Sequence, residues 1–187
     1  MTLPQSDRGW ISGMAGDGLV TIGDPRLKAP TAPVGDIADA RDLLETMTAR
    51  LRALNGAGLA APQIGASVKA VVIEVRRTDV FPDRPECPLT QMADPVIVEH
   101  RGPELIDWEG CFSVPGLMGL VPRASTVLVR YLDHDGAHVE RTFDGYAARV
   151  VQHEIDHLDG VEFVDRMHDM TSLTTVQNYL DHHRAPV

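Results

Sequence analysis

Apolar positions recur at two periods along this chain, and the change of period marks its elements. Between Asp36 and Leu54, residues Ile37, Ala40, Leu44, Met47, Leu51 and Leu54 follow alternating steps of three and four, which places them on one face of a helix. Asp36 can cap that helix and Gly56 can end it. Short branched apolar runs follow: VKAVVIEV over 68–75, PVIVEH after Asp94, and STVLVRYLD after Ala124, each of strand length. The tripeptide His134, Asp135, Gly136 separates the last run from AHVERTF and predicts a hairpin. From Asp144 to His157 the period returns to that of a helix, with Tyr146, Val150, His153 and His157 on one face and Gly160 as a stop. A further helix is predicted from Asp169 to His182 with Leu173, Val176 and Leu180 inward. Residues 76–93, with three prolines and no period, predict a surface loop. Residues 1–20 predict an N-terminal arm without chemistry, leaving 21–187 as one domain. The expected fold is compact α+β: short, mostly antiparallel strands around a central helix, the one over 144–157, with one helix before it and one after.

Composition narrows the function classes. A length of 187 residues suits one domain with its own core, and 43% hydrophobic with 24% charged residues is the balance of a folded soluble chain. A formal net charge of −10 disfavours a broad nucleic-acid face or an anionic membrane surface. Neither a membrane-spanning apolar run nor a secretory pattern is visible, so a cytoplasmic location is the default expectation. The two cysteines, Cys87 and Cys111, allow at most one bridge. Cys87 has no neighbour at ligand spacing and reads as incidental.

The sharpest local signal is HEIDH at 153–157. On a helix, four-residue spacing turns His153 and His157 to the same side, where both can hold one divalent metal. Glu154 then stands beside the first ligand, within reach of a water as general base. The competing bland reading is a helix with two solvated histidines. A catalytic site needs a third protein ligand. An extended metalloprotease motif would put His at 163, where this chain has Phe163, and Glu162 is its last glutamate. Upstream, Cys111 in DWEGCFSVPG is a candidate, its alternative being an inert buried thiol.

Three blocks taken in order, GAGLAAPQIG at 56–65, EGCFSVPG at 109–116 and QHEIDHLDG at 152–160, resemble the signature segments of peptide deformylases. The resemblance extends through DPRLKAP, VPRAS and GYAARVVQHE and covers the chain from about Val20 to Met167. It implies removal of the formyl group from the N-terminal formylmethionine of new polypeptides. Cys111, His153 and His157 would hold the metal, usually Fe(II) in this family, with Zn, Ni or Co able to occupy the site. Glu154 would be the general base and then the acid. The Gln63 side-chain amide and the backbone N–H of Phe112 would face the formyl oxygen. The peptide would add as a strand between residues near Gly58 and Gly110, and Ala57, Tyr146 and Val150 would help line the methionine pocket. Glu109 and Arg123 would pair weakly at the surface, and Gln152 would orient its neighbours.

Departures from the family pattern are Ala57 for a branched apolar residue, Phe112 for Leu and Met118 where many relatives carry Arg. Residues 169–187 carry Asp169, Asp181 and only Arg184, which argues against ribosome docking through a basic C-terminal helix. The implied partners are formylated nascent peptides, with no nucleic acid and no membrane. Rival readings are deformylation of a narrower peptide or metabolite, a metallopeptidase cutting internal bonds, and a noncatalytic binding module.

Overall fold

The computed structural model describes residues 18–77 and 84–184. Most of the expected N-terminal arm, 1–17, lies outside the described residues. Its last position does not behave as an arm: Val20 is buried, its N–H donates to Gln63 O at 2.8 Å, and Ile22 N–H donates to Ser113 O at 2.6 Å.

Helix α1 spans Ile37–Ala53, and its first turn is capped by the Asp36 carboxylate accepting from Ala38 N–H. The predicted apolar face is the buried one, with Ala40, Leu44, Met47 and Leu51 inward. The left-handed residue after the helix is Asn55 (φ 55°), one position before the expected glycine. Strands β1 (Gly58–Ala60), β2 (Ala70–Val75), β3 (Cys87–Cys111), β4 (Val114–Leu132) and β5 (His138–Asp144) form one antiparallel sheet in chain order, and a two-residue β6 (Thr174–Thr175) adds to β4.

The β2 run is apolar at almost every position because both its faces are covered. Val71, Ile73 and Val75 pack toward helix α2 (Gly145–Leu158), whereas Ala70 and Val72 pack against α1. Helix α2 is buried from Ala148 to Leu158, the central position its pattern predicts. Gly160 (φ 70°) ends it, in the left-handed conformation that a glycine adopts without strain.

Three expectations are corrected. The loop predicted over 76–93 gives way to strand at Cys87: Thr90 and Met92 face the interior, and the polar threonine hides the alternation. The strands are not uniformly short, since β3 and β4 run 25 and 19 residues as one long hairpin. Register shifts between Ala93 and Val96 and between Arg101 and Glu104 absorb Pro95, Gly102 and Pro103, residues that otherwise break a strand. The helix predicted over 169–182 is divided. A 3-10 turn at Met170–Ser172 and strand β6 precede a single helical turn, α3 (Val176–Asn178), which continues as a π-turn through His183. Asp169, Thr171, Ser172, Thr174 and Thr175 favour caps and strands over helix interiors, and pairing with β4 decides the outcome. Of its predicted inward residues, Val176 is buried and Leu173 and Leu180 are half-buried.

Leu44 is fully buried between α1 and the sheet. Leu44→Ala is expected to lower unfolding stability by about 2–5 kcal/mol, measured by urea denaturation.

Candidate active site

Helix α2, strand β3 and the turn after β1 converge on one cleft of about 260 Å³. Its walls include Ala57, Gly58, Gln63, Gly110, Cys111, Phe112, Tyr146, Val150, His153 and Glu154. All but one of the catalytic, substrate-binding and metal-binding candidates from sequence therefore meet at this cleft. The remaining one, His157, lies beneath it with Nε2 3.3 Å from Cys111 Sγ. The donor atoms of Cys111, His153 and His157 fall within 4.8 Å of one another.

Local chemistry explains this convergence. Cys111 ends β3 where a register shift between Gly110 and Cys111 turns the strand toward the helix. Its sulfur accepts from Ser113 N–H and the Gln63 amide, each at 3.4 Å. Gln63 is 1% exposed, and its orientation is set by Ala60 N–H donating to Oε1 at 2.7 Å, which turns the NH2 group toward the cysteine. A Cβ at Gly58 would collide with the Glu154 carboxylate, so only glycine lets β1 approach the helix this closely. Gly56 likewise makes room for Phe112: a Cβ there would lie 2.6 Å from the ring.

Beneath the cleft lies a buried charge network. The Glu109 carboxylate accepts from His153 Nδ1 at 2.8 Å, from Arg149 Nη1 at 2.8 Å, and from Arg123 Nε and Nη2 at 2.9 and 3.0 Å. Arg123 continues to Asp156 at 2.5 Å, and Asp156 in turn accepts from Arg166 at 2.7 Å. The Glu109–Arg123 pair is thus buried, each side chain at most 5% exposed, which corrects the expectation of a weak surface pair. Gln152 bonds the backbone of Ala124 on β4 and braces α2 against the hairpin. Arg149 and Asp156 were not predicted. Their positions, one turn before His153 and three residues after it, are the signal that sequence offers.

Electrostatics follow from burial and these contacts. Burial pushes the Glu109 carboxyl up, but the hydrogen bonds from His153 and Arg123 outweigh it and hold the group well below the carboxylate range. Burial depresses the His157 imidazole, favouring its neutral, ligating form. Burial also pushes Glu154 up to about 7, with the Glu109 charge adding to the effect and His153 and Arg123 opposing it. A carboxyl poised there can accept and return a proton near neutral pH. Glu154 Oε2 and His157 Nδ1 are buried with no protein partner. Such groups are ordinarily satisfied, and a cysteine sulfur with two imidazoles and a neighbouring carboxylate is a donor set that suits a divalent metal and a water.

The family model for polypeptide deformylase matches residues 17–172. The chain belongs to that family. Peptide deformylase 2 of Bordetella bronchiseptica is 43% identical over 155 residues, covering 82% of this chain and 88% of that protein. Peptide deformylase 1 of Nitrosomonas europaea is 41% identical over 154 residues, covering 81% and 88%. Among solved structures, a class I type b peptide deformylase from Acinetobacter baumannii bound to Met-Ala-Ser aligns with a TM-score of 0.72 at 38% identity, over 80% of this chain and 96% of that one. A deformylase from Synechococcus elongatus in complex with actinonin aligns at 0.75 and 34%, over 82% and 80%. Membership of this family also brings metal dependence, which agrees with the Cys111, His153, His157 cluster.

Arg123→Met would strand two buried carboxylates between fewer cations. The expected loss of unfolding stability is about 3–5 kcal/mol, read from denaturant midpoints, with Arg123→Lys recovering only part because it cannot fork across Glu109 and Asp156.

Proposed function

We propose that this chain removes the formyl group from the N-terminal formylmethionine of new polypeptides and releases formate. The observation that carries the reading is the meeting of Glu154, Gln63 and the Cys111, His153, His157 cluster at one cleft, in a chain of the deformylase family. The similar deformylase from Acinetobacter baumannii, solved with Met-Ala-Ser bound, supports a peptide beginning with methionine as the product held in such a cleft.

Cys111, His153 and His157 would hold a divalent metal, which when bound supplies an acidified water and a charge that polarises the formyl carbonyl. Fe(II) is the ion we favour on the family resemblance; the same donors accept Zn, Ni or Co. Glu154 takes the proton of the attacking water and later delivers it to the amine of methionine as the C–N bond breaks. The carbonyl oxygen gains negative charge as attack proceeds, and the Gln63 NH2 and the Phe112 backbone N–H donate to it. Main-chain pairing with residues near Gly58 and Gly110 holds the peptide as an added strand, so recognition is tolerant of sequence. Ala57, Tyr146 and Val150 enclose the methionine side chain. Glu109 fixes the His153 ring through Nδ1, which would leave its other nitrogen to hold the metal.

Among the described residues no helix is long and apolar enough to cross a membrane. The substrate sets the protein in the cytoplasm, where new chains emerge. Encounter by free diffusion, rather than ribosome docking, suits a C-terminal segment bearing Asp169 and Asp181 beside Arg184.

Formate release from formyl-Met-Ala, with no cleavage of an acetylated peptide, is the expected result for the anaerobic enzyme; the reverse selectivity would make it an internal peptidase. Glu154→Gln should retain metal and lose on the order of 100- to 10,000-fold in kcat. Co(II) substitution should give an intense thiolate-to-metal absorption that Cys111→Ala removes.

A further inference from the structure

The family match ends at residue 172, yet the chain goes on to build part of the cleft. Strand β6 pairs with β4 at Leu117 and Met118, so the C-terminal segment is fastened to the very residue, Met118, that lines the cleft beside Gly110. Val176, 1% exposed, plugs the segment into an apolar cluster with Met118, Trp108 and Phe112. The following turn widens from α to π at Tyr179, and the Tyr179 ring also lines the cleft. It stands 5.4 Å from the Trp108 ring, centroid to centroid, at a 55° tilt, and His183 covers Trp108 from 4.8 Å. Trp108 is itself two residues before Gly110 on β3, on the same face of the strand.

From this placement we infer that Tyr179, with Trp108, forms an aromatic subsite that selects an aromatic or large aliphatic side chain within the two residues that follow the formylmethionine. This rests on the deformylase reading above. A peptide added along β3 and running away from Cys111 passes Gly110 and then Trp108, so its next residues meet the Trp108–Tyr179 wall. Met118 adds an apolar face beside that wall, and Asp107 and Arg84, of opposite charge, both line the cleft, so apolar contact and not charge is what the wall offers. A tilted aromatic pair already in place can receive a third ring in edge or offset geometry with little side-chain ordering. Tyr179 is thereby a specificity-determining residue supplied from beyond the segment that the family model matches.

The test compares kcat and KM for formyl-Met-Ala-Ser, formyl-Met-Phe-Ser and formyl-Met-Ala-Phe in wild type, Tyr179→Ala and Tyr179→Phe. Wild type is expected to prefer one phenylalanine peptide over formyl-Met-Ala-Ser by about three- to tenfold, carried mainly in KM. Tyr179→Ala should abolish the preference and Tyr179→Phe restore it. The ratio between substrates within one preparation does not depend on the fraction folded. A wild-type ratio near one, or a ratio unchanged in Tyr179→Ala, overturns the subsite. Absence of formate release from all three peptides in wild type would instead overturn the deformylase reading itself.

Discussion

Glu109 is the charge around which this molecule is organised. One carboxylate, 5% exposed, takes hydrogen bonds from His153 on the central helix, from Arg149 a turn earlier on that helix, and from Arg123 on the neighbouring strand. A bare carboxylate in such a place would be prohibitive, and each partner alone would leave it undercompensated. Together they fix helix α2 against the β3–β4 hairpin at one height. Cys111, two residues beyond Glu109, then has little freedom in where it meets the imidazoles. The same atoms that neutralise the charge also set the tautomer and tilt of His153, so stability and ligand geometry are properties of a single cluster.

The site is layered on that cluster. Below, Arg123, Asp156 and Arg166 carry the alternation of charge out to the half-exposed edge of the domain. Above, Glu154 lies against Gly58 and keeps one oxygen free of protein partners. At the side, Val20 and Ile22 tie the backbones of Gln63 and Ser113 to the same short stretch of chain. A cleft assembled from β1, β3 and α2 is thereby held by polar contacts behind each wall, which lets its inner surface remain open to a peptide.

Much of this was legible in the sequence, for unequal reasons. The two helices bearing Leu44 and His153 showed themselves because burial on one face imposes a three-four period that no loop shares. The candidate ligands on α2, His153 and His157, followed from the HEIDH motif set on that period. Cys111 and Gln63 did not: their positions relative to the helix are set by the sheet, and only the resemblance in three blocks joined them. The length of β3 and β4 was hidden by Pro95, Gly102, Pro103 and Pro122: register shifts accommodate the first three, and Pro122 sits in unbroken register opposite Ile106. Arg149 and Asp156 went unpredicted because what makes them matter is the burial of Glu109 on another element. The segment after Asp169 failed as a helix because its alternative, two residues of strand on Met118, is a long-range contact invisible to local pattern.

The order in which the essential groups occur has its own meaning for synthesis. Gln63 and Cys111 leave the ribosome well before the HEIDH helix, and the partner thiol and imidazole at 111 and 157 stand 46 residues apart. No truncated translation product lacking α2 can gather the thiol and both imidazoles, so an interrupted chain is inert instead of partly competent. The thiol and both imidazoles can meet only once α2 (Gly145–Leu158) has been made, and strand β6 joins the sheet later still.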